Sequence, residues 1–128
     1  MPLASKAGAS VFLPLIKAQA TATRAVLASE SGVRFTTRGA TAAVTFTLPA
    51  VTNLPIGTEY TFHSTSAYGM VIASNGSLNN ILTLNNATGN SITCTTTSKI
   101  IGAVVHVIYD GTAWLASQAS VGNTYAVA

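Results

Sequence analysis

The chain predicts an all-β fold, an antiparallel β-sandwich of jelly-roll type carried behind an extended N-terminal arm, and three observations point there. Short segments rich in Val, Ile, Thr, Phe and Tyr recur at roughly ten-residue spacing from Val33 onward. Turn signals separate them, among them Asn75-Gly76 and Asp110-Gly111. No stretch carries an apolar stripe of helical period and useful length. A chain of 128 residues needs one core, and folding at that length buries about two-thirds of the extended surface.

Residues 1–32 read as the arm and residues 33–128 as the domain. The arm is Ala-rich and holds an apolar cluster, Val11, Phe12, Leu13, Leu15 and Ile16, with Pro14 favouring an extended path. Lys17 to Ser29 has the alanines for a short helix, but Thr21 and Thr23 weaken it. Lys6, the apolar run and Ala18-Gln19-Ala20 imitate a secretory leader, yet Pro14 interrupts the run and Lys17 adjoins the supposed cleavage point, so an uncleaved arm is expected. Such a segment gains order by lying on a neighbour.

In the domain, Val44 to Leu48 alternates strictly, placing Val44, Phe46 and Leu48 on one face. Pro49 and the Asn53-Leu54-Pro55-Ile56-Gly57 segment end that strand. Thr58 to Ser64 resumes the alternation with Tyr60 and Phe62 on one side and His63 on the other, and Tyr68-Gly69 is expected to turn it into a hairpin with Met70 to Ala73. Asn75-Gly76 leads to a strand over Ile81 to Leu84, and Asn85-Asn86 through Gly89-Asn90 is a further turn. Ile92 to Thr97 is a Thr-rich strand in which Cys94 reads as a small buried residue. Gly102 to Tyr109 is nearly continuous Val and Ile, which suits a central strand covered on both faces, and Asp110-Gly111 returns it into Ala113 to Ala116. The sum is roughly eight or nine short strands.

Charged residues are 7% of the chain against about 25% in an average domain. So weak a charge opposes association poorly, and a self-assembling protein is expected. The net charge of +3 is spread thinly along the first part of the chain, without the basic face and interleaved aromatics that nucleic-acid binding uses, so no nucleic-acid partner is expected. No uncharged apolar run reaches the roughly 20 residues of a membrane helix. The single cysteine, Cys94, provides neither an internal disulfide nor a metal motif.

Catalytic chemistry is poorly furnished. The acids are Glu30, Glu59 and Asp110; Asp110 belongs to a turn and Glu30 to the arm, which leaves no pair for glycoside hydrolysis. His63 and His106 lack the glycine-flanked serine of a hydrolase elbow and the ligand spacing of a zinc site. No enzyme activity, cofactor or metal is expected. His106 reads as a hydrogen-bonded core or interface residue, and Trp114 as a core plug. Asn75-Gly76-Ser77 and Asn86-Ala87-Thr88 have the form of glycosylation acceptors and read as turns.

From Thr45 onward, Phe46-Thr47-Leu48-Pro49, Leu54-Pro55-Ile56-Gly57 before Tyr60 and Phe62, and Val104 to Tyr109 followed by Asp110-Gly111-Thr112-Ala113-Trp114 follow one another in order. This order resembles a β-sandwich module of bacteriophage virion proteins, found in capsid decoration or cement proteins, head fibres and tail-fibre domains. The resemblance implies a virion location on the capsid surface, with the major capsid protein and further copies of the chain, as a homotrimer, for partners. In that role the arm residues Val11, Phe12, Leu13, Leu15, Ile16 and Arg24 would form the interface. The alternative that the resemblance carries is a receptor- or glycan-binding fibre domain, with Tyr68, Trp114 or Tyr125 stacking on sugar rings.

Overall fold

The computed structural model describes residues 15–75, 81–82, 88–94, 100–118 and 126–127. Within them the fold is all-β: two mixed sheets and one 3-10 turn at Ala28–Glu30. The seven-stranded sheet runs in the order β1 (Ile16–Ala18), β3 (Arg34–Thr36), β5 (Glu59–His63), β10 (Val104–Tyr109), β11 (Trp114–Gln118), β7 (Ile81–Leu82) and β8 (Thr88–Gly89). The five-stranded sheet runs β12 (Ala126–Val127), β9 (Ser91–Cys94), β6 (Met70–Ala73), β4 (Val44–Thr47) and β2 (Thr23–Ala25).

The first six strands alternate between the sheets, and within a sheet each pairs in parallel with the next: β1 with β3, β3 with β5, β2 with β4 and β4 with β6. The chain therefore winds as three coils, each giving one strand to each sheet. A parallel pair needs a crossover, commonly a helix, and here the crossover is the strand in the opposite sheet. The later strands pair mainly antiparallel: β10 with β5 and β11, β9 with β6 and β12, and β7 with β8, while β7 joins β11 in parallel.

Several expectations change accordingly. The sheets are mixed and not antiparallel throughout, and the parallel pairing among β1 to β6 does not support the finer jelly-roll assignment. β5 and β6 lie in different sheets, so Tyr68-Gly69 carries the chain across the core instead of closing a hairpin. The same holds for β6 and β7 on either side of the Asn75-Gly76 signal, of which Gly76 lies outside the described residues. Among the described residues, twelve short strands replace eight or nine. Residues 15–32, assigned to an arm on sequence grounds, supply the terminal strand of each sheet of this same chain.

The core is aromatic at its centre. Phe35 on β3 and Phe62 on β5 are in register and stack with centroids 5.6 Å apart. Phe46 enters from the other sheet, 5.6 Å from Phe35 and 4.9 Å from Phe62, which joins the two inner faces. Tyr60 and Tyr109 then lead to Trp114, at 5.9 and 5.5 Å. Val44, Met70, Ile72 and Ile92 complete the five-stranded sheet's contribution. Each large side chain buried this way contributes roughly 1.5–3 kcal/mol.

β10 is the middle strand of the seven and alternates in burial, with Val105, Val107 and Tyr109 inside and Val104, His106 and Ile108 partly exposed. It is thus central but covered fully on one face, not both. Its turn into β11 follows the sequence signal. Asp110 Oδ1 accepts the backbone N–H groups of Thr112 and Ala113, both at 2.8 Å, and the Asp110 N–H donates to the Ala113 carbonyl at 3.1 Å. Gly111 has φ +99°, where a side chain is strained, and a Cβ there would lie 3.1 Å from Ile56 Cδ1. Gly111→Val should lower unfolding stability by about 1–3 kcal/mol in a denaturant titration, whereas an unchanged midpoint would mean that this turn does not constrain the hairpin.

Candidate interaction surfaces

Parallel register makes the inner face of each sheet readable as a row. In the seven-stranded sheet one row is Lys17, Phe35, Phe62 and Val105; in the five-stranded sheet one row is Arg24, Phe46, Ile72 and Ile92. Both rows begin with a cation, on the outermost strand, where the core would otherwise end in apolar surface. The two cations share one acceptor. Lys17 Nζ and Arg24 Nη2 each lie 2.7 Å from Glu30 Oε2, and Glu30 Oε1 accepts the Leu27 N–H at 2.9 Å.

Glu30 is only 5% exposed. Burial by itself would raise its carboxyl, but the hydrogen bonds from Lys17, the Leu27 backbone and Arg24 outweigh that and bring it down to about 2. Arg24 also lies over the Phe35 ring at 5.2 Å and donates through Nη1 to Gln19 Oε1 at 3.2 Å. Gln19 in turn donates to Thr21 Oγ1 and to the Thr21 and Thr23 carbonyls, which fixes the bend between β1 and β2. Tyr60 Oη donates to the Leu27 carbonyl at 2.8 Å and ties this end to the aromatic core.

Outside the core, the two sheets present different faces. The seven-stranded sheet carries Ile16, Arg34, Thr61, His106 and Ser117 in one row, flanked by Ala18, Thr36, His63 and Val104 on one side and by Glu59, Ile108 and Leu115 on the other. His106 Nε2 meets Glu59 Oε1 at 2.9 Å, and Arg34 Nη1 lies 3.4 Å from His63 Nδ1. Burial, with the charges of Arg34 and Arg38, lowers the His63 pKa below the ordinary imidazole value. The five-stranded sheet instead shows Thr23, Thr45, Val71 and Thr93 beside Ala25, Thr47, Ala73 and Ser91. Among the described residues that face is small-chained and uncharged.

The residues singled out from sequence fall in separate places. Leu15 and Ile16 are 55% and 62% exposed at the terminal strand β1. Arg24 is committed inward to Glu30 and Gln19, so it is a support of the fold at this end. Val11, Phe12 and Leu13 lie outside the described residues, as does Tyr125. Tyr68 is 46% exposed, but Trp114 is fully buried against Tyr60 and Tyr109, which removes it as a sugar platform. Cys94 is buried, and burial pushes its thiol up to about 12, an unreactive state. Glu30 is the residue that sequence reading undervalued; the clue was one acid following two cations in a segment otherwise of small side chains.

No protein-family model matches the chain, and no curated protein shows significant similarity to it.

Breaking this part-buried triad should be costly, because two cations would lose their shared counter-charge. Glu30→Gln should destabilise by about 1–3 kcal/mol in urea unfolding. Since the folded carboxyl titrates near 2, below its ordinary 4.5, its stabilisation is complete above that ordinary value and is lost as pH falls toward 2. Wild-type stability should therefore decline between pH 5 and pH 2 more steeply than that of Glu30→Gln, and parallel pH profiles would show that Glu30 is not the titrating support.

Proposed function

We propose that the chain is a structural, non-catalytic component of a bacteriophage particle: a decoration or cement protein that binds the capsid surface and holds neighbours together through its N-terminal segment and through contacts between copies. One observation carries this reading. The apolar run from Val11 to Ile16 leads directly into β1, an edge strand among the described residues, at whose start Leu15 and Ile16 stand largely in solvent. An edge strand with exposed aliphatic side chains is a template for pairing with another chain, and monomeric proteins ordinarily blunt such edges with charge. Here the first inward cation, Lys17, is consumed by Glu30.

The sparse charge and the uncharged Thr, Ala and Ser face of the five-stranded sheet support the same reading, since neither opposes close approach. A lattice or a closed ring multiplies individually weak contacts by effective concentration. A homotrimer bound to the major capsid protein at threefold sites is the assembly this role implies. Glycan adhesion by a fibre domain remains the second reading, favoured by exposed Tyr68.

Size exclusion with light scattering should show more than one chain per particle at micromolar concentration. Phe12 and Ile16 changed together to Ser should shift that equilibrium toward monomer and weaken capsid binding at least tenfold, with added salt having a smaller effect, because buried apolar area is insensitive to screening. A wild-type monomer whose capsid binding is untouched by the double change would overturn the proposal.

A further inference from the structure

The first coil leaves one strand in each sheet with no strand beyond it among the described residues, β1 in the seven-stranded sheet and β2 in the five-stranded sheet. The registers tell which backbone groups face outward. The Arg34 N–H donates to the Leu15 carbonyl and the Gln19 N–H to the Thr36 carbonyl, so in this parallel ladder Leu15, Lys17 and Gln19 turn their groups toward β3. The N–H and C=O groups of Ile16 and Ala18 turn the other way. On β2 the Ala22 carbonyl and the Val26 N–H face β4, which leaves Thr23 and Ala25 facing outward. Neither edge is guarded by a free charge of its own, since Lys17 and Arg24 are both committed to Glu30.

The two edges differ in what flanks them. β1 begins with Leu15 and Ile16, both largely exposed, whereas the outward positions of β2 are Thr23 and Ala25. Residues 7–16 hold no charged side chain, and Val11-Phe12-Leu13 within them has the apolar character of a strand. That segment cannot return onto its own β1 as a tight hairpin. Leu13 and Pro14 precede Leu15, and the turns of such hairpins need a positive φ that proline cannot adopt. A parallel return needs a crossover of a dozen residues or more. Direct joining of two β1 edges is disfavoured as well, because it would bring two plugs together, four cations against two carboxylates.

We propose that the β1 edge receives the Val11 to Leu13 segment of a second copy as an added strand, each chain giving its segment to one neighbour. This rests on the reading of the chain as a self-associating structural protein and names the contact that holds the copies together. The outward groups of Ile16 and Ala18 pair with the added backbone, and its side chains cover Leu15 and Ile16. An uncharged strand extends the sheet past the plug without adding charge to it. Extended chain from Leu15 back to Val11 spans at most about 14 Å, so donor and acceptor β1 edges lie side by side, around the axis of a closed ring. With an edge of three residues each contact is weak alone, and ring closure multiplies it.

The test joins proline substitutions, read by light scattering and thermal unfolding, to disulfide trapping between chains. Ala18→Pro removes an N–H that its own sheet does not use, so the variant should melt within a few degrees of the wild type yet associate at least tenfold more weakly. Ala18→Ser, which keeps that N–H, and Ala25→Pro, which makes the same change on β2, should associate like the wild type. In an isotopically labelled mixture, chains with Val11→Cys or Leu13→Cys should form mixed disulfides with chains carrying Ala18→Cys, while native Cys94 is buried and takes no part. Should Ala18→Pro melt far below the wild type, the disulfides decide. A monomeric wild type would overturn both this contact and the structural reading behind it. An oligomer untouched by Ala18→Pro and lacking mixed disulfides would overturn the contact alone. Disulfides formed only within a chain carrying both cysteines would overturn the exchange in favour of the chain's own segment. Lost capsid binding by Ala18→Pro with an intact oligomer would overturn it in favour of the capsid protein.

Discussion

Among the described residues, two sheets built from stacked parallel coils have no further strand to cover their shared core at the first coil, and polar groups close it there. At that position the inner row of one sheet holds Lys17 and that of the other holds Arg24, facing the ring of Phe35 and the row of Phe46. Terminal repeats of stacked folds need a polar outer side because nothing further covers them. A pair of cations alone would repel across the opening. Glu30, brought back by the 3-10 turn at Ala28–Glu30, meets both at 2.7 Å and turns that repulsion into a closed polar plug. The geometry of β1, β2 and the turn between them and β3 follows from that convergence.

The plug explains why the beginning of the domain was hard to locate from residues alone. Val44 to Leu48 announces itself because its inner positions are Val, Phe and Leu, and all three are fully buried. β1 and β2 have the same alternation, but their inner positions are Lys17 and Arg24, so an apolar period cannot be seen there. The Asp110 turn was legible because its hydrogen bonds are local. Tyr68-Gly69 and Asn75-Gly76 are turn signals of the same kind, yet the chain there passes from one sheet to the other. Turn chemistry specifies that the chain bends; which strand receives it depends on nonlocal burial. Trp114 was readable as core for a related reason, since a large aromatic after a tight hairpin has little else to cover.

The surfaces divide the chain's few charges unevenly. One acid closes the end of the core, one holds His106 and one shapes a turn, and among the described residues the five-stranded face is bare of charge. In the proposed role, association would run through apolar edges and small-chained faces, with charge reserved for particular contacts. Exposed Leu15 and Ile16 lie at the start of β1, the strand that carries Lys17 of the plug. The element that completes the fold is therefore also the element from which the proposed contacts with neighbours begin.

The integrity of the first coil is most directly measured by a pair of truncations followed by thermal unfolding at neutral pH. Removal of residues 1–14 keeps the residues of the plug and of every strand from β1 onward, so the transition should stay within a few degrees of the full chain. Removal of residues 1–32 strips β1, β2 and Glu30 from the core and exposes Phe35 and Phe46, and the transition should drop steeply or lose its cooperativity. Equal melting of the two truncated proteins would contradict the account, because residues 15–32 would then be an appendage and the core would close without them.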